Sequence, residues 1–170
     1  MTIPVIETER LTLRRPRIED FDAYAAVFAS DRSRFMDGPK PRREAWDEFA
    51  SDCAAWVLRG YGIWSVETKD YGALAGWAGI IHPERYHEPE LGWFLVEEYE
   101  GQGYAFEAAK AARQYARQNF GLNCPVSFIS TGNHRSIRLA ERLGATVEET
   151  RGSPDDRFFV YRHPASEAAQ

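Results

Sequence analysis

Cysteine is scarce, long apolar runs are missing, and positive charge is in deficit. Among 170 residues there are 2 cysteines, Cys53 and Cys124. Two thiols give neither a disulfide framework nor a metal ligand set. A reducing cytoplasm is therefore the expected compartment. No apolar run approaches the roughly 20 residues that a membrane-spanning helix needs, so no membrane partner is expected. The opening MTIPVIETERLTLRR has no basic start followed by an apolar core, and no signal peptide is read there. Lys and Arg total 21 against 26 Asp and Glu, for a formal charge of -5 and a pI of about 5.4. That balance argues against nucleic acid as the main partner, because proteins that bind it usually carry a basic stripe.

What is present suits one globular domain. Hydrophobic residues make up 44% and charged residues 28%, the usual balance of a soluble protein. The length allows a single domain over 1–170, with a core over about 7–162 and a tail over 163–170. No internal repeat, linker or low-complexity segment interrupts it.

The chain is organised around residues 90–116, ELGWFLVEEYEGQGYAFEAAKAARQYA. Residues 91–96 are almost wholly apolar and predict a strand. Residues 105–116 are rich in alanine and predict a helix. Between them lies a short acidic turn holding Gly101 and Gly103. Glycine admits unusual torsions and lets a bulky anion approach the backbone. A helix start carries unpaired N–H groups and partial positive charge, which suits a phosphate. Other phosphate motifs do not fit. Counting from Gly101, the third glycine of a dinucleotide fingerprint falls on Phe106, and no Gly-Lys-Ser/Thr follows.

Around this stretch the pattern is mixed. Leu11 and Leu13 alternate with Thr12 and Arg14 as a half-buried strand. Ile18, Phe21, Tyr24 or Ala25, and Phe28 predict an amphipathic helix over 18–29. Residues 30–41 read as a polar loop. Trp46, Phe49, Cys53 and Trp56 form a second helical stripe, with Gly60 where a C-cap belongs. Strands are expected at 62–68, 74–81, 90–96 and 126–130, and a helix at 136–143. A hairpin of 146–150 and 157–162 closes the chain around a 152–156 loop. The spacing gives a mixed sheet with helices on its faces.

Glu100-Gly101-Gln102-Gly103-Tyr104-Ala105 resembles the acetyl-CoA loop of the GNAT N-acetyltransferases, whose pattern is Gln/Arg-x-x-Gly-x-Gly/Ala. Asn133-His-Arg-Ser136, followed by Glu141-Arg142-Leu143-Gly144-Ala145, resembles the second motif of that family, Asn-x-x-Ser/Ala then Glu-Lys-x-Gly-Phe. The opening Glu9-Arg10-Leu11-Thr12-Leu13-Arg14 and the Glu90-Leu91-Gly92-Trp93 strand are similar to the RimJ/RimL-like branch, which includes enzymes that acetylate ribosomal-protein N-termini. The resemblance spans roughly residues 7–162. It implies an α+β (mixed α/β) GNAT fold. The sheet would be mostly antiparallel, twisted and of about seven strands, with about four helices on its faces. It would splay between its fourth and fifth strands, 90–96 and 126–130. It also implies acetyl-CoA as cosubstrate, no metal, and direct transfer to a primary amine in a ternary complex. The acceptor would be a protein N-terminus or a small-molecule amine, and a homodimer is compatible with the branch.

Carried onto this chain, amides of Gly101, Gln102, Gly103, Tyr104 and Ala105 would bind the coenzyme diphosphate. Backbone groups of Phe94, Leu95 and Val96 would pair with the pantetheine arm. Asn133 and Ser136 would lie near it. Glu90 is the candidate base; it shares a strand face with Gly92, Phe94 and Val96, and Gly92 leaves space beside it. The other reading of Glu90 is an exposed carboxylate in the cluster Glu88-Pro89-Glu90. Ser136 is the candidate donor to the departing thiolate, or a first-turn serine satisfying backbone. Phe35, Met36 and Trp46 are candidates for the acceptor wall. Two departures matter. Glu100 replaces the usual Gln/Arg, and Ala140 stands where many members carry a tyrosine acid. The backbone, not residue 100, would grip the phosphate, so the first is discounted; Ala140 and the two readings of Glu90 keep a non-catalytic acyl-CoA-binding or sensor protein open as the alternative.

Overall fold

The alternating leucines near the N-terminus do pair. The computed structural model describes residues 2–165, in which β2 (Leu11–Arg14) lies antiparallel between β1 (Ile6–Glu7) and β3 (Ile63–Thr68). Strands β4 (Leu74–Ile81), β5 (Glu90–Leu95), β6 (Val126–Ser130), β7 (Thr146–Ser153) and β8 (Asp156–Arg162) complete one eight-stranded sheet in the order β1-β2-β3-β4-β5-β6-β8-β7. Every neighbouring pair is antiparallel except β5 and β6. The helices are α1 (Phe21–Ala29), α2 (Arg42–Leu58), α3 (Tyr104–Phe120) and α4 (His134–Arg142). This is the mixed α/β architecture expected, with one strand more. That strand, β1, is two residues long, too short for a period-2 signal to show.

Helix α3 covers one face of the sheet. Its Ala108, Ala109, Ala112 and Ala116 are buried against Leu11, Leu13, Trp64, Val66 and Leu91. Four methyl-sized side chains let the helix axis approach the strands closely, so the α3 start is held at a fixed height above β5. Helix α1 and the first half of α2 cover the other face, where Phe21, Tyr24, Phe28 and Phe49 pack with Trp77. The segment linking α1 to α2 contains a short 3-10 turn, Asp31–Phe35, and reaches back to the open end of β5.

Several boundaries differ from expectation, α3 running four residues past the expected 116 among them, and three have a visible cause. Ile18 is 61% exposed, because a 3-10 turn at Ile18–Asp20 precedes α1 and the buried stripe begins at Phe21. Asp20 causes that turn by pointing inward at Arg14. The closing hairpin is longer than expected, since Gly152 at φ 95 stays in the β7–β8 ladder opposite Arg157. His163, assigned to the tail, is 0% exposed, and its N–H donates to Pro125 O at 3.0 Å. Of the expected tail, residues 166–170 lie outside the described residues. Among the described residues, no helix is long and apolar enough to cross a membrane.

The first strands are locked by a buried ion cluster. Arg14 grips Asp20 with two nitrogens, at 2.8 and 2.9 Å, and Glu67 with its Nε at 2.5 Å. Asp20 also accepts from Ser65 Oγ at 2.7 Å and from Arg17 N–H at 2.9 Å. Burial works against the Asp20 charge, but these partners outweigh it and hold its carboxyl below the ordinary 3.8. Its stabilisation is therefore present above that value and is lost as pH falls through the lower, folded one. Arg14→Leu strands Asp20 without its counter-ion and should cost about 3–5 kcal/mol, read from the urea midpoint. A loss below about 1 kcal/mol would mean that the cluster behaves as a screened surface pair.

Candidate active site

The site begins where β5 and β6 stop pairing. Their one registered pair is Glu90 with Val126, and Val126 N–H donates to Pro89 O at 3.2 Å. One rung further, a parallel ladder would join Phe128 N–H to Leu91 C=O. Each of these groups is held by a side chain. Phe128 N–H donates to Glu90 Oε1 at 3.0 Å, and Leu91 C=O accepts from Ser127 Oγ at 2.6 Å. Beyond them the strands part around a cavity of about 280 Å³, walled by Leu91 to Leu95, by Ser127 to Ile129, and by Asn133, Ser136 and Leu139 beside α4.

The open edge of β5 is more specific than the sequence suggests. Val96 N–H donates to Ala75 O at 2.9 Å and so faces β4. Strand alternation turns the backbone of Phe94 the same way, leaving Trp93 and Leu95 to face the gap. Leu95 C=O accepts there from Arg32 at 3.1 Å. Of Phe94, Leu95 and Val96, only Leu95 therefore offers its backbone to the cavity, and Trp93 joins it. Phe94 contributes as side chain, stacked on Trp77 with ring centroids 4.9 Å apart.

At the outer end, the glycine turn is built as expected. Gly101 at φ 74 and Gly103 at φ 83 are left-handed, and Gly103 caps α3. The first intrahelical bond runs from Glu107 N–H to Gly103 O at 3.1 Å. The N–H groups of Tyr104, Ala105 and Phe106 thus lack intrahelical acceptors and give the helix start its positive end. Arg10 braces the turn from the side. It donates to Gln102 O at 2.9 Å and to Glu107 Oε2 at 2.7 Å, with its guanidinium 4.6 Å from the Tyr104 ring centroid. Glu100 forms ion pairs with both Arg32 and Arg135, so its departure from the family pattern is neutralised by cations from two other segments. Gly101 lines the cavity, whereas Gly103 lines a second cleft with Arg10, Phe106 and Glu107, and Gln102, Tyr104 and Ala105 are not in the cavity wall.

At the inner end sits Glu90. It is half-buried, and desolvation pushes its pKa up to about 8. The Phe128 N–H, Arg85 and Tyr86 pull the other way, and the Asp37 charge adds to the push. Glu90 lies one residue below the cavity wall, which starts at Leu91. The space expected beside Gly92 is filled, since a Cβ there would lie 2.4 Å from Ile81 Cδ1. Asn133 Oδ1 accepts from Ser136 N–H at 3.2 Å as the α4 cap, and both residues line the cavity. Ala140 is buried with Ile129, Ala145 and Tyr161, and supplies no acid.

Phe35 and Met36 line the cavity, but Trp46 does not. Trp46 is 43% exposed and packs edge-on against Phe21, at 4.9 Å between centroids. The first turn of α2 carries it onto α1 and away from the gap. The residues that sequence reasoning missed are Arg10, Arg32, Arg135, Ser127 and Trp93. Arginines scattered over three segments carry no local pattern, and Ser127 reads only as an interior strand residue. Among the described residues, no group of three or more His, Cys, Asp and Glu is placed to hold a metal ion.

Residues 10–146 match the family model described as Acetyltransferase (GNAT) domain, and the chain belongs to that family of acetyl-CoA-dependent acetyltransferases. It is 40% identical to an acetyltransferase from Agrobacterium tumefaciens str. C58, whose crystal structure superposes with a TM-score of 0.88 over 96% of this chain and 95% of that one. It is also 32% identical over 155 residues to the uncharacterized protein YkkB of Bacillus subtilis, covering 84% of this chain and 86% of YkkB. A [Ribosomal protein uS5]-alanine N-acetyltransferase of Escherichia coli is 23% identical over 158 residues, 84% of this chain and 78% of its own length.

Glu90→Gln keeps an acceptor for Phe128 N–H and removes the charge. In the wild type, Glu90 ionises near 4.5 when unfolded and at about 8 when folded. The folded state thus holds the proton more tightly, and stability falls as pH rises between those values. The Gln variant should melt above the wild type at pH 9, with the gap closing toward pH 4.5. A gap that does not change with pH would contradict the desolvated state of Glu90.

Proposed function

We propose that the chain moves the acetyl group of acetyl-CoA directly onto a primary amine, with both substrates bound together and Glu90 as general base. One observation carries the reading. The gap between β5 and β6 opens directly above a carboxyl whose pKa is about 8, and a glycine-built helix start stands at its far end. The coenzyme diphosphate would lie on the amides of residues 101–105. The pantetheine arm would run along Trp93 and Leu95 as an added strand, bringing the thioester toward Glu90.

The acceptor must arrive neutral. An α-amino group has a pKa of about 8 and a lysine about 10.4. A carboxyl matched to the first of these accepts the proton near neutral pH, directly or through one water. Roughly a tenth of Glu90 is ionised one pH unit below its pKa, so transfer should climb with pH up to about 8. Attack builds negative charge on the thioester oxygen, which a β5 edge N–H steadies. The intermediate then expels a thiolate of pKa about 8.5, which needs little acid. Ser136, on the opposite wall, is the donor to that sulfur. No enzyme-bound acetyl is required, since Cys124 is exposed and stands before β6. Phe35 and Met36 would shape the acceptor side, where Asp37 and Glu90 favour a cationic group.

A protein N-terminus is favoured as acceptor by the likeness to the Escherichia coli [Ribosomal protein uS5]-alanine N-acetyltransferase, and a small-molecule amine is the other acceptor class. The buried Ala140 favours a second reading, an acyl-CoA-binding protein without turnover. Calorimetric titration of acetyl-CoA and coenzyme A, followed by thiol-release assays on N-terminal peptides and small amines from pH 6 to 9, separates these readings. The proposal expects one site per chain and turnover on one acceptor set, rising to about pH 8 and abolished in Glu90→Gln. Binding without turnover on either set would favour the second reading. No binding of either ligand at millimolar concentration would sink both.

A further inference from the structure

Behind the cleft runs a buried polar chain that the chemistry above does not use. Arg113 of α3 reaches toward His163, His163 toward Ser127, and Ser127 toward Leu91. His163 is 0% and Ser127 1% exposed. Such a chain, far from solvent, is either fully satisfied or costly to the fold.

Donor and acceptor accounting fixes its direction. A carbonyl only accepts, so the Ser127 hydroxyl donates to Leu91 C=O at 2.6 Å. The Ser127 oxygen then accepts from His163 Nε2, 2.9 Å away, and Nε2 must carry the hydrogen. A guanidinium only donates, so Nδ1 is bare and accepts from Arg113 at 3.4 Å. The same Arg113 nitrogen donates to Leu143 C=O at 2.6 Å. His163 is thus neutral and in one tautomer. Burial and the charges of Arg113 and Arg162 push its pKa down to about 3, so this state persists across the working pH range.

The chain ends at the critical rung. Leu91 C=O is the β5 group that continued pairing would give to Phe128 N–H. A hydroxyl held from behind keeps that carbonyl occupied. The ring of Trp93, whose backbone faces the gap, stands edge-on to the His163 ring at 6.5 Å between centroids.

We propose that His163 is a positioning residue for coenzyme binding: backed by Arg113, it aims the Ser127 hydroxyl at Leu91 C=O and so holds β5 and β6 apart for the pantetheine arm. The proposal rests on the coenzyme reading of the cleft. The test uses two probes in calorimetry, acetyl-CoA and adenosine 3′,5′-bisphosphate. The second carries the nucleotide end without the arm.

His163→Leu removes both hydrogen bonds. It should bind acetyl-CoA at least tenfold more weakly while holding the bisphosphate within twofold of wild type. His163→Gln retains an N–H toward Ser127 and a carbonyl toward Arg113, and should recover most of the lost affinity. If His163→Leu does not fold, Ser127→Ala carries the same expectation with a smaller change in volume. Unchanged acetyl-CoA affinity in a folded variant would overturn the proposal. So would equal weakening of both probes, which would mark a general structural role. Failure of the wild-type protein to bind acetyl-CoA would overturn the coenzyme reading itself, and the proposal with it.

Discussion

Two parallel strands that pair at one residue and then separate decide what this molecule can do. Leaving a buried backbone group without a partner costs about 1–3 kcal/mol, so a sheet does not open in its middle unless other groups step in. Here Glu90 takes Phe128 N–H and Ser127 takes Leu91 C=O, and the registered pairing ends at that point. The remaining β5 edge, at Trp93 and Leu95, presents backbone groups to a cavity instead of to β6. An edge of this kind accepts an extended ligand as it would accept a strand. The alanine face of α3 then sets where the positive helix start lies relative to that edge.

Electrostatics divides the carboxylates near the sheet into three kinds. Asp20 is buried among an arginine, a serine and a backbone N–H, and its charge is held firmly. Glu90 is desolvated with weaker compensation, and its proton is held instead. The first arrangement stabilises the fold, whereas the second sacrifices some stability at neutral pH and leaves a carboxyl with about the proton affinity of an α-amino group. Glu100 is a third case. Its negative charge stands beside the glycine turn, and Arg32 and Arg135 surround it and tie three segments together.

The sequence carried most of the architecture because the relevant signals are local. Alternating leucines, an apolar run, a pair of glycines and an alanine helix each act within a few residues. The local geometry of the candidate site was legible where its atoms belong to the backbone of one continuous stretch, as in the left-handed turn at Gly101 and Gly103, or to a cap such as Asn133. It was illegible where side chains from distant segments meet. Arg10 braces a turn more than 90 residues away in the chain, at Gln102. His163 reads as tail composition and proves to be interior. Trp46 failed for a related reason. Its place on the helical stripe was right, but the direction in which α2 leaves its first turn is set by α1. Strand periodicity gave the alternation of β5 without its phase, so Val96 was assigned to the gap when its N–H belongs to Ala75.

The parted strands are, on the proposed function, the coenzyme cleft. Amide hydrogen exchange, followed with and without saturating acetyl-CoA, tests it most directly. The account predicts that slowed exchange concentrates at Trp93 and Leu95 and at residues 101–105, while Phe94 and Val96, bonded toward β4, change little. Protection confined to other segments, or none at all under conditions where acetyl-CoA is bound, would contradict it.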